Sequence, residues 1–212
     1  EELPEDITFD GWGIGHAKGS AAAMHMTRLH HPLVGDVTLE EVQNYPMPGI
    51  PAGDLERITT ETAAWHEKGI AVIGYMAQTI WETAWCIRSM EELMMEMMDD
   101  DENAVCLLDR ITEVSIARAE LYTKAGADIV HLGDDIGTQH GAMMGLELWR
   151  EWLKPRLKKV IDAAKAINPD VLISYHSCGD IRIFLEDLVE VGIEVLNPIQ
   201  PECMDFQEVY DR

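Results

Sequence analysis

No apolar run in the 212-residue chain approaches the roughly 20 residues that a membrane-spanning helix requires, so helical insertion is excluded. Basic residues are scarce as well: 16 Lys and Arg stand against 39 Asp and Glu, for a formal net charge of −23. Nucleic-acid binding rests mainly on Lys and Arg neutralising phosphates, and an acidic protein is repelled by anionic lipid. Neither nucleic acid nor membrane is therefore expected as a partner. The excess charge reads as a solvated acidic surface. Cysteine is sparse and scattered: Cys86, Cys106, Cys178 and Cys203 form no closely spaced pair, and no signal-like segment opens the chain. That usage points to reduced thiols in a cytoplasm. There is no Gly-x-Ser-x-Gly elbow, no P-loop and no Gly-x-Gly-x-x-Gly after a strand; the glycine run at residues 11–15 lacks the βαβ context that would give it meaning. Nucleotide chemistry is thus unsupported.

What is present is the composition of an ordinary globular protein, 47% hydrophobic and 26% charged, long enough for one domain with a sizeable core. The chain starts at Glu1 rather than Met and stops at Arg212 within what reads as a new helix from Asp205, so a piece of a longer protein is expected. We expect a single, partial domain over 1–212, with a loop-rich part at 1–53 and regular βα units over 54–212. The first part is rich in Gly, His and Pro, with apolar pieces at 7–9 and 21–26 and a turn cluster at 44–49. It predicts loops, a hairpin at most, and one helix over 38–43 after the Thr38-x-x-Glu41 capping box. Beyond Asp54, Leu55, Ile58, Thr62 and Trp65 share a helical face, and residues 70–76 read as a buried strand. Met90, Leu93, Met94, Met97 and Met98 recur at helical spacing, which reads as core filler, and a long helix follows over 102–125. Next come a strand at 129–132, a helix at 146–167 with Trp149, Leu153, Leu157 and Val160 inward, a strand at 171–175, a helix at 181–191 and a strand at 194–196. Strands alternating with helices imply a parallel sheet, hence an α/β fold, either a barrel or an open sheet.

In both architectures the site lies at the carboxyl ends of the strands. Polar residues gather there: Tyr75 and Gln78 after the first strand, Asp134 and Asp135 after the second, His176 and Cys178 after the third, Asn197 and Gln200 after the fourth. The opposite strand ends carry turn and capping residues. Side chains at i and i+2 of a strand point the same way, so His176 and Cys178 are able to present nitrogen and sulfur to one zinc ion. The plainer reading makes Cys178 a small buried hydrophobe with His176 as a hydrogen-bonded neighbour. Asp134 and Asp135 read as a catalytic acid/base pair, as metal or substrate ligands, or as turn formers. Being adjacent, they point to opposite faces, so at most one enters the site. His140 reads as a surface residue, and His16, His25, His30 and His31 as loop and packing residues.

Residues 125–135 (AGADIVHLGDD), the helix carrying Trp149 and Pro155, Tyr175-His-Ser-Cys-Gly-Asp180 and Val195-Leu-Asn-Pro-Ile-Gln-Pro201 together resemble the uroporphyrinogen decarboxylase superfamily, more narrowly its methyltransferase branch. His31-Pro-Leu, Thr38-Leu-Glu-Glu and Tyr45-Pro-Met-Pro extend the resemblance over nearly the whole chain. It implies an eight-stranded (β/α) TIM-type barrel, incomplete here, with this chain supplying the central βα units. It also implies zinc held by His176 and Cys178 and a corrinoid (cobalamin) carried by a partner protein. The methyl group would pass between that corrinoid and a thiol or small methylated donor. The family's later cysteine ligand is not in this sequence, and Cys203 is a candidate substitute. The alternative is uroporphyrinogen decarboxylase itself, a metal-free carboxy-lyase of porphyrin biosynthesis. Against it stand the absent arginine-rich opening motif, His176-Ser-Cys at the strand end, and a net charge poorly suited to a polycarboxylate. A third reading is a non-catalytic barrel fragment or accessory subunit, whose open edge permits pairing with another chain, a homodimer included.

Overall fold

The structure is a computed structural model that describes residues 6–19 and 27–211; the apolar piece at 21–26 and His25 lie outside the described residues. In chain order the elements are β1 (Thr8–Phe9), β2 (Gly15–Lys18), β3 (Thr27–His30), α1 (Leu39–Asn44), α2 (Asp54–His66), β4 (Ile73–Ala77), α3 (Trp81–Arg88), α4 (Met90–Met98), α5 (Glu102–Lys124) and β5 (Ile129–Gly133). They continue with β6 (Gly137–Thr138), β7 (Gly141–Ala142), α6 (Leu146–Trp152), α7 (Lys154–Ile167), β8 (Leu172–His176), a 3₁₀ turn at Arg182–Phe184, α8 (Leu185–Val191), β9 (Val195–Asn197) and α9 (Phe206–Tyr210). The chain divides into two compact units, residues 1–48 with 83–110, and residues 49–82 with 111–212.

In the first unit β1, β2 and β3 form an antiparallel sheet in that order, where the sequence predicted a hairpin at most. α1 starts at the expected capping box: the Thr38 hydroxyl accepts from the Glu41 N–H, and the Glu41 carboxylate accepts from the Thr38 N–H. The buried Arg88 ties this unit together, donating to Glu92, to Glu96 and to the carbonyls of Leu33 and Gly35. The methionine pattern in α4 is only partly core. Leu93 and Met97 are buried, while Met98 is 73% exposed.

The second unit is built on a parallel sheet whose spatial order, β4-β5-β8-β9, is the order of the chain. Met76, Val130, Leu132, Ile173 and Tyr175 on one face are buried, whereas Ile73, Tyr75, Leu172 and Val195 on the other are exposed. A doubly wound sheet reverses its strand order and buries both faces. Sequential order with a single sealed face is instead the arrangement of consecutive strands in a (β/α)8 barrel, whose inner face looks toward the barrel axis. On the sealed face α5 approaches so closely that only glycine fits at position 74: a Cβ there would lie 2.5 Å from the Tyr122 Cβ.

Three expectations shift. The helix expected over 146–167 is divided at Leu153 into α6 and α7, because Pro155 lacks the N–H needed to continue the ladder. The helix expected from 181 begins as a 3₁₀ turn. In α2 only Thr62 is buried, and Leu55 and Trp65 of its apolar face are exposed. Among the described residues no helix is long and apolar enough to cross a membrane.

Candidate metal centre

His176 is the last residue of β8, paired in register with Gly133 of β5 and Asn197 of β9. Gly133 makes room for it, since a Cβ at that position would fall 2.7 Å from the His176 Cβ. The His176 Nδ1 lies 2.9 Å from the Asn197 side-chain oxygen. With that oxygen as acceptor, Nδ1 carries the ring hydrogen and Nε2 turns its lone pair the other way. Nε2 then lies 3.5 Å from the Cys178 Sγ and 3.7 Å from an oxygen of Asp135. The same oxygen accepts the Cys178 N–H at 2.7 Å. The donor atoms of Asp135, His176 and Cys178 all lie within 4.8 Å of one another. Nitrogen, oxygen and sulfur ligands around a tetrahedral zinc ion stand about 3.3–3.6 Å apart. The three side chains therefore match such an ion in donor type, and the His176 nitrogen stands close to the required distance from each of the other two donors.

Burial and the neighbouring carboxylates disfavour further negative charge at this point. Burial, then Asp135 and Glu82, pushes the Cys178 thiol up, away from the thiolate that metals bind. Burial likewise raises the Glu82 carboxyl, with Asp135 adding to the shift. Glu82 lies in the first turn of α3 and accepts the Asp135 N–H at 3.1 Å. A positive ion among these groups would reverse each shift.

The two adjacent aspartates have different surroundings. Asp134 is buried; its carboxylate accepts the N–H groups of Ile80 at 3.1 Å and Glu82 at 2.9 Å, so it caps the start of α3. Burial pushes its carboxyl up to about 8. The buried Tyr175 hydroxyl donates to the Asp134 carbonyl, and burial raises its own pKa well above the usual value. Only Asp135 turns toward His176 and Cys178.

The other residues singled out in the sequence take varied places. Asn197 holds His176, and the Gln200 side-chain oxygen accepts the Gly179 N–H at 2.9 Å, bracing the loop that carries Cys178. Gln78 stands just beyond β4 with a left-handed backbone, φ 62°. Tyr75 is within β4, on the open face, its ring stacked on that of His131. Cys203 acts electrostatically on Cys178 but is not in the three-residue donor group. His140 is exposed, His16 pairs with Asp10, and His31 Nδ1 lies 2.9 Å from the Cys86 carbonyl oxygen. Sequence reasoning missed Glu82 and His131. Glu82 had no periodic signal, and His131 comes into view only through the register that sets it beside Tyr75.

Comparison with known proteins bears on the family and the fold. A family model described as uroporphyrinogen decarboxylase (URO-D) matches residues 14–206. Two methylcobamide:CoM methyltransferases, MtaA of Methanosarcina barkeri and of its strain Fusaro, are 30% and 29% identical over 90 residues. Those stretches cover 42% of this chain and 24% of each relative, so the match spans about a quarter of the relatives' length. A solved structure of a methyltransferase from Methanosarcina mazei superimposes with a TM-score of 0.62 at 22% identity, over 88% of this chain and 52% of that one. At that identity the likeness establishes the shared fold.

Proposed function

The chain belongs to the uroporphyrinogen decarboxylase family, and from that premise we propose that it is a methyltransferase whose Asp135, His176 and Cys178 hold a zinc ion. The methyl group passes between a corrinoid carried by a partner protein and a thiol or small methylated donor. The observation that carries this reading is the convergence of three unlike donors within 4.8 Å at the carboxyl end of a barrel strand. The similarity to the MtaA methyltransferases supports it. The free state of all four cysteines is in keeping with a reducing cytoplasm.

Zinc held by Asp135, His176 and Cys178 would supply the Lewis acidity that favours the thiolate form of a sulfur nucleophile. The chain's own residues prepare that site. Asn197 fixes the His176 ring so that Nε2 faces the site, and the Cys178 N–H orients Asp135. Glu82, held against the Asp135 N–H, is placed to take the proton that a thiol releases. Asp134 sets the position of Glu82 by capping α3.

The test is metal content together with turnover. Purified protein is expected to hold one equivalent of zinc, to lose it in Cys178→Ser, and to demethylate methylcobalamin in the presence of a small thiol, followed by the cobalamin absorbance. A metal-free protein that decarboxylates uroporphyrinogen would overturn the proposal.

A further inference from the structure

Between His176 and Cys178 stands a residue that the donor set leaves out. Neighbours along an extended chain point to opposite sides, so Ser177 turns away from the point on which the other two converge. Its burial agrees: Ser177 is fully buried, whereas His176 and Cys178 are partly exposed. The Ser177 Oγ accepts the N–H of Ile136 at 3.0 Å and donates to the carbonyl of Cys178 at 3.2 Å. Each of those groups belongs to the peptide unit that immediately follows a donor residue, Asp135 in the first case and Cys178 in the second. The Ser177 N–H donates to the carbonyl of Asn197 at 3.0 Å, and the Asn197 side chain faces the His176 ring. One small residue thus fastens the chain beside all three donors.

Sheet register holds β5 and β8 together only as far as Gly133 and His176. Asp135 and Cys178 lie beyond that point, on loops, so the gap between them depends on how the loops are joined. The Asp135 carboxylate accepts the Cys178 N–H, but a side chain turns about its own bonds. A hydroxyl bonded to main chain on both sides fixes the backbone itself. We infer that Ser177 is a positioning residue of the metal site, its hydroxyl setting the separation of Asp135 from Cys178. The inference rests on the zinc reading of Asp135, His176 and Cys178. Serine suits the place because it accepts and donates within a small volume. The volume is small: a Cβ at Gly137 would lie 2.9 Å from the Cys178 carbonyl oxygen, so the two loops are already in contact. Alanine at 177 would leave the N–H of the buried Ile136 without this acceptor, and the Asp135 loop would shift to find another.

The experiment titrates the full chain with Co²⁺ alone, whose d–d absorption reports coordination geometry and whose sulfur-to-metal charge-transfer band reports Cys178. Ser177→Ala is expected to bind Co²⁺ about 10–100-fold more weakly. At saturation its charge-transfer band is expected to persist while the d–d bands change, since the thiolate stays and the carboxylate is displaced. Asp135→Ala removes the ligand itself, so adding Ser177→Ala to it is expected to cost little more: losses do not add when one residue acts through the other. Thr123→Val removes a buried hydroxyl bonded to the Ala119 carbonyl within α5, and is expected to leave the Co²⁺ titration unchanged. Where Ser177→Ala does not fold, Ser177→Cys fills the same space with a weaker hydrogen-bonding group and is expected to lose affinity in the same direction. Wild-type affinity and bands in the folded Ser177 variant would overturn the positioning role while leaving the metal site standing. So would a loss that adds in full to that of Asp135→Ala, or an equal loss in Thr123→Val. Failure of wild-type protein to bind Co²⁺ would overturn both.

Discussion

Along β5 successive side chains live in two environments: Val130 and Leu132 are fully buried, while His131 between them stays partly exposed and stacks on Tyr75. The same alternation runs through β8, where Ile173 and Tyr175 are buried and Leu172 and His176 are not. The period of two thus assigns stability to one face and chemistry to the other. Burying a Val or Leu side chain contributes about 1.5–3 kcal/mol, so the sealed face holds the sheet against its helices. The open face, which holds little buried apolar surface, is free to carry imidazole, thiol and carboxylate.

Changes that cross this division break or sharpen the contrast. Leu132→Ala on the sealed face is expected to cost about 2–5 kcal/mol in urea unfolding, with zinc stoichiometry preserved in the fraction that folds. Asp187, a buried carboxylate of α8, receives hydrogen bonds from Arg150 and Lys154 on the two neighbouring helices. Arg150 and then Lys154 hold it below the ordinary value of 3.8. Such a group contributes its stability in full above that value and loses it as pH falls through the lower folded-state pKa. Asp187→Asn is expected to cost about 2 kcal/mol near neutrality, since one partner is half exposed, and to flatten the stability loss on acidification below about pH 4. On the open side, Asn197→Ala frees the His176 ring. Zinc affinity is expected to fall about 10–100-fold in a competition titration, with little change in unfolding free energy. Leu172→Thr, on the open face and 42% exposed, is expected to stay within about 0.5 kcal/mol of wild type. A larger loss there would mean that another part of the protein covers this face.

Much of the fold was legible because its signals are local. The capping box at Thr38, the 23-residue α5, and the strand and helix alternation from β4 onward follow from hydrophobic period and from the residues that start and stop helices. The misread parts lack such signals. The short strands β1 to β3 hold two to four residues each, too few to show alternation. The division at Leu153 lies inside an unbroken amphipathic pattern and depends on the ring of Pro155.

The amino-acid sequence by itself determined that a parallel α/β unit forms and that a strand ends in His176 and Cys178, because side-chain period and i, i+2 spacing are properties of neighbours in the chain. The tertiary structure alone decided the rest of the site. It turned Asp135 toward that pair and Asp134 into a helix cap, set Asn197 behind the His176 ring, brought Glu82 from α3 beside Asp135, and laid Tyr75 against His131. Each of these contacts joins residues 21 to 56 positions apart through strand register or the loops beyond the strand ends. The reason is that register is a cooperative property of the whole sheet, which no local stretch of the chain encodes.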